Sequence, residues 1–107
     1  MNINEIEQFI KTKVTNGEYQ IKLHALQRIN ERGILGNDIK EALLNCKVIE
    51  DYPHDKRGHS CLVCGKIDNE KNLHIVCGLT KDTVWIVTIY EPDPKEWETP
   101  QKRRKNK

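Results

Sequence analysis

A chain of 107 residues, 36% apolar and 32% charged, has material for one domain around one modest core. No apolar run approaches the ~18–20 residues of a membrane-spanning helix, and the opening "MNINEIEQFI" is acidic and amphipathic, unlike a signal peptide. A cytoplasmic location without membrane partners is therefore expected, with the four cysteines as thiols or metal ligands and not as disulfides. The net charge of +2 is unevenly spread. Lys102, Arg103, Arg104, Lys105 and Lys107 crowd the last six positions, and without them thirteen basic residues face sixteen acidic ones. The expected organisation is a mildly acidic domain over residues 1–98 and a basic tail over 99–107, which suits phosphate backbones or an acidic partner, or serves only as a solvated end.

In chain order, residues 2–15 read as a helix: Asn2 and Glu5 form a capping-box pair, and Ile3, Ile6, Ile10 and Val14 recur at helical spacing. Asn16-Gly17 stops it. A second helix is expected from Leu23 to Arg32, with Gly33 supplying a left-handed terminus. Its Leu23, Leu26 and Ile29 make an apolar back, and His24, Arg28 and Arg32, at four-residue steps, make a basic front. Asn37 is placed to cap a third helix whose Ile39, Ala42 and Leu43 are buried.

From Lys47 the period changes to two. Strands are expected at 47–52, 60–67, 72–79 and 83–90, joined by turn-rich "PHDKRGH", "DNEK" and "TKD", and the prolines of "PDPKEWETP" end regular structure. Trp97 then anchors the C-terminal segment. Helices followed by strands with short connections describe an α+β domain, with N-terminal helices packed on one face of a four-stranded antiparallel sheet. If "TKD" is a three-residue loop, residue 79 pairs with 83. Leu73, Ile75, Cys77 and Leu79 then share the helix-facing side with Thr83, Trp85, Val87 and Ile89. The other side presents His74 across from Thr88, with Val76, Val84, Ile86 and Tyr90 around them.

Cys61, Cys64, His74 and Cys77 spell C-x2-C…H-x2-C, the spacing of paired zinc knuckles. Positions three apart on a strand point to opposite faces, however, and Leu-Val and Ile-Val between the ligands are strand formers. Buried thiols in strands are the simpler reading, and no cofactor is expected.

"HALQRINERGI", "IEDYP", "SCLVCG", "LHIVCG" and "VTIYEPDPKEW" followed by basic residues resemble the domain-of-unknown-function family numbered 4258, over about Tyr19 to Arg104. The resemblance implies a small prokaryotic protein of the RelE/barnase-like toxin superfamily: helices before a four-stranded sheet, metal-independent RNA cleavage, and a zinc-ribbon, helix-turn-helix antitoxin encoded nearby. His24, Arg28 and Arg32 match the family's histidine and two arginines, and His74, Thr88 and Tyr90 match its polar sheet positions.

On that reading the chain is the toxin of a toxin–antitoxin pair, an endoribonuclease acting on free or ribosome-bound RNA. It leaves a 2′,3′-cyclic phosphate. His24 and His74 serve as base and acid in either order, since imidazole titrates near neutrality. Arg28, with Arg32, holds the phosphate through its guanidinium fork. Thr88 and Tyr90 orient His74 or the substrate, and Tyr90 stacks on a base. Two other classes remain open: a non-catalytic module binding nucleic acid or protein through the basic stripe and tail, and a small zinc protein built on Cys61, Cys64, His74 and Cys77.

Overall fold

A computed structural model of the chain describes residues 1–68 and 71–104. Helix α1 (Ile3–Thr15) opens on the expected box: Asn2 Oδ1 accepts the Glu5 N–H and Glu5 Oε1 accepts the Asn2 N–H, each at 2.8 Å. Its Ile6, Ile10 and Val14 are buried, as their spacing requires. Strand β1 (Tyr19–Ile21) leads into α2 (Leu23–Arg32), which ends on Gly33 at φ 66° in the left-handed region. Helix α3 (Gly36–Leu44) starts one residue before the expected Asn37 cap. Leu35 precedes it, and the Asp38 carboxylate reaches back to accept the Leu35 N–H at 3.0 Å. The apolar back of α2 is narrower than its leucines suggest: Ala25 and Ile29 are buried, while Leu23 and Leu26 are exposed.

The strands follow as β2 (Lys47–Tyr52), β3 (Ser60–Ile67), β4 (Lys71–Leu79) and β5 (Val84–Tyr90), close to the spans expected from their alternation. The fold is α+β, but the sheet has five strands in the order β1-β5-β4-β3-β2, and β1 joins β5 in parallel. A three-residue strand is too short to show a period, and its partner lies far along the chain, so nothing local announces it. On the far edge, the β2 N–H of Val48 donates to Glu7 Oε2 of α1 at 2.8 Å.

The β4–β5 register also departs from expectation. Leu79 pairs with Val84, so the loop has one residue more than "TKD". A one-residue shift exchanges the faces of a strand. Val84 and Ile86 therefore point to the helices with Cys77 and Leu79, and Trp85 points away. A bulge opposite Val76/Cys77 absorbs one residue of β5 and restores the phase. Beyond it Ile89 is in the core, and His74 lies across from Tyr90, with Thr88 across from Val76.

All three helices pack on one face. Ile6, Ile10, Ala25, Ile29, Ile39 and Leu43 meet an inner sheet surface that includes Val63, Leu73, Ile75, Ile86 and Ile89. Helix α3 sits directly on β3, where a Cβ built on Gly65 would fall 2.1 Å from the Ala42 carbonyl oxygen. Buried Cys46, Cys61 and Cys77 belong to this core. Burial pushes the Cys46 thiol up to about 12, as befits an unreactive side chain.

"PDPKEWETP" does not end regular structure. Strands β6 (Trp97–Thr99) and β7 (Lys102–Arg103) form a second, two-stranded sheet, so the basic segment read as a tail from residue 99 is in part a folded hairpin. Lys105 and Lys107 lie outside the described residues.

Candidate active site

The outer sheet face, turned away from the helices, is not left open where His74 stands. His74 has 0% of its surface exposed, and Trp97 of β6, itself buried, lies edge-on to it with ring centroids 4.4 Å apart. Tyr90 flanks the imidazole on the strand side at 5.3 Å. Above it, His74 Nε2 is 2.6 Å from the Pro100 carbonyl oxygen in the β6–β7 turn. A carbonyl only accepts, so Nε2 carries the proton and donates it. That leaves Nδ1 a bare lone pair, buried and without a hydrogen-bond partner among the described residues. Burial holds the imidazole below its ordinary pKa against the opposing pull of the Pro100 bond, and Arg103 lowers it further.

Beside this group stands an ion pair. Arg103 of β7 forks onto Glu50 of β2, with Nε 2.9 Å from Oε2 and Nη2 3.1 Å from Oε1. The Tyr52 hydroxyl donates to the same carboxylate. The Arg103 hydrogen bonds keep Glu50 below the usual carboxylate range, while burial and the Glu50 contact push Tyr52 up to about 12. The Arg103 guanidinium also lies over the Trp97 ring at 4.5 Å. Tyr90 is raised chiefly by burial.

The hairpin reaches this position because "PDP" turns the chain. The Asp93 carbonyl accepts the N–H groups of Glu96 and Trp97, both at 2.9 Å, and Arg104 Nε donates to the Pro94 carbonyl at 2.6 Å. Trp97 is thus the anchor its position suggested, and what it anchors is a cover over His74.

His24, Arg28 and Arg32 do share a side of α2: His24 and Arg32 are exposed and Arg28 is half-buried, with no ion pair among the described residues. They do not join His74 in one cleft. Helix α2 inserts Ala25 and Ile29 into the core on the inner face, and His74 points out of the outer one, so the sheet lies between the two sets. Thr88 and Tyr90 remain on the outer face, both half-buried. His59 is half-buried with Nε2 2.6 Å from Asp51 Oδ1.

The zinc pattern does not assemble either. Cys61 and Cys77 face each other in the core, whereas Cys64 and His74 face each other on the outer side. Among the described residues, the metal-capable side chains that gather within 4.8 Å are Asp38, Glu41 and Asp68.

Sequence reasoning missed Glu50, Tyr52 and Arg103. The first two had a signal: in "KVIEDY" they stand two apart and so share a strand face. Arg103 had none, because its partner is 53 residues away.

A family profile described as a domain of unknown function, DUF4258, matches residues 21–91. The chain belongs to that family. The matched span contains Glu50, Tyr52, His74 and Tyr90, and it ends before the hairpin that carries Trp97 and Arg103. No curated protein and no solved structure matches the chain.

Proposed function

We propose that this DUF4258 chain is a toxin-type endoribonuclease, related to RelE/barnase-like toxins, and that its cleavage centre is the His74–Tyr90–Arg103–Glu50 group. The observation that carries the reading is the buried Nδ1 of His74, without a hydrogen-bond partner among the described residues, beside a phenol held in its protonated form and a guanidinium. A neutral imidazole with a free lone pair is a base, a protonated phenol is an acid, and a guanidinium grips a phosphate. Those are the three needs of RNA cleavage by internal attack.

In the proposed reaction His74 Nδ1 takes the proton from the 2′-hydroxyl, and the 2′-oxygen forms a bond to phosphorus. Arg103 bears the charge that gathers on the equatorial oxygens. The phosphorus–O5′ bond breaks, the Tyr90 proton passes to the departing 5′-oxygen, and a 2′,3′-cyclic phosphate remains. The proton on His74 returns to Tyr90 through solvent. Because His74 is covered, the β6–β7 hairpin has to open for RNA to enter and then close over it, which returns Arg103 to the phosphate beside His74. An RNA phosphate competing with Glu50 for Arg103 releases the hairpin at the point where it is tied down.

The test is cleavage of single-stranded RNA by the purified chain. His74→Ala, Tyr90→Phe and Arg103→Ala are each expected to lose about 10²–10⁴ in rate. The rate should rise with pH through a group titrating below 6.5 and then level, since His74 must be neutral. A rate that falls with rising pH over that range would make His74 the acid, and full activity in His74→Ala would remove the mechanism.

A second reading has its own observation. Helix α2 combines exposed Leu23 and Leu26 with His24, Arg28 and Arg32, which make no ion pair among the described residues, a surface suited to a partner with apolar and acidic side chains. An antitoxin would meet that description. Growth arrest on expression, relieved by a neighbouring gene product and not relieved when Leu23 and Arg28 are changed to Glu, is the expected outcome.

A further inference from the structure

A pocket of about 380 Å³ opens beside the covered histidine. Its floor is Cys64, which pairs with His74 across β3 and β4 and faces the same way, so the two positions are about one strand spacing apart, ~4.8 Å. Gln101, next to Pro100 in the hairpin turn, forms part of its wall. The pocket and the His74 group therefore share one cover.

The lining is chemically selective. Asn45 is spent on structure: its amide donates to the Glu41 and Lys66 carbonyls at 2.8 and 2.9 Å and accepts the Lys66 N–H at 2.8 Å. The other polar groups are unspent. Lys47 and Lys66 make no ion pair among the described residues, and the Gln101 side-chain amide makes no hydrogen bond there. Asn72 holds only a long contact from the Cys64 thiol, 3.8 Å. Lys66 is near enough to lower the Cys64 thiol against the burial that raises it, so its charge is felt at the floor. On the α3 side stands the Glu41 carboxylate.

We propose that this pocket is a nucleotide subsite, in which Lys47 and Lys66 hold a phosphate and Asn72, Gln101 and Glu41 meet the edge of a base. The volume falls within the range of small-molecule sites. Two ammoniums suit one phosphate dianion. Two primary amides offer both donors and acceptors, and a carboxylate accepts the paired N–H donors of guanine, which makes a guanosine phosphate the natural probe. The substrate class rests on the ribonuclease reading; binding of the mononucleotide does not.

The experiment is a titration of the 15N-labelled full chain with 3′-GMP, with guanosine and with inorganic phosphate, followed by backbone amide shifts. Expected are saturating shifts at Lys47, Lys66, Asn72 and Gln101 with 3′-GMP, and affinity about tenfold above that for either fragment. Lys66→Ala and Asn72→Ala should each weaken binding about tenfold, and Lys81→Ala, in the β4–β5 turn, should not. Shifts elsewhere, no shifts, or equal affinity for phosphate alone would overturn the subsite. An RNA-cleavage assay on the same preparation separates the two ideas. Cleavage without 3′-GMP binding removes the subsite and leaves the enzyme. Binding without cleavage supports the subsite and removes the enzyme.

Discussion

Burial decides the charge of His74, and through it a part of the chain's pH response. The folded imidazole is held below 6.5, so in mild acid the unfolded chain binds a proton that the native one refuses. The stability from this residue is complete above 6.5 and drains away as pH falls toward the folded pKa. Glu50 has the same sign lower down: Arg103 depresses its pKa, so its contribution is present above the ordinary carboxylate range and lost as pH falls through the folded value. Denaturant melts at stepped pH should show His74→Gln flattening the slope just below 6.5. Glu50→Gln should cost about 0.5–1 kcal/mol near neutrality, since Arg103 is half exposed, and almost nothing at strongly acid pH. At the same scale, Trp97→Ala removes the edge that closes over His74. Carbethoxylation of His74 should be much faster in that variant than in the parent, in which exposed His24 and His54 react first.

Between elements, α3 lies close against β3 at Gly65. Gly65→Ala would drive a methyl into the Ala42 backbone, and backbone yields poorly, so a loss of about 1–3 kcal/mol or more is expected by chemical denaturation. Gly36→Ala, with open space at its Cβ, should stay within about 0.5 kcal/mol. The elements themselves were legible in the residues. The Asn2–Glu5 box, Gly33 and the alternation of β2 to β5 are local signals, and each lies close to where it was expected. What escaped was pairing at a distance. One extra residue in the β4–β5 loop exchanged Val84 and Ile86 for Trp85, and a bulge then returned Tyr90 to the side of His74. The same limit governed the candidate site. His74 and Tyr90 were visible as polar residues within strands, but Arg103 read as tail charge until the hairpin placed it on Glu50. The basic stripe of α2 was real as a stripe; its separation from His74 is a matter of which face of the sheet each occupies.

At the scale of the whole molecule, the family-matched span of 21–91 is framed by two additions that do different work. Helix α1 completes the inner core with three fully buried side chains, so Ile10→Ala should cost about 2–5 kcal/mol, measured by the same denaturation. The C-terminal hairpin covers the opposite face. One addition stabilises and the other occludes, and under the proposed function only the second has to move.

The two rims of the five-stranded sheet have a further consequence. On one side the last strand has only three residues and runs parallel to its neighbour; on the other, the Glu7 carboxylate already occupies the Val48 amide. A stray extended chain finds a short template at one rim and a negatively charged obstruction at the other. The protein is thereby guarded against growing by strand addition into fibrils, although the buried face of its sheet is made largely of valine, isoleucine and leucine.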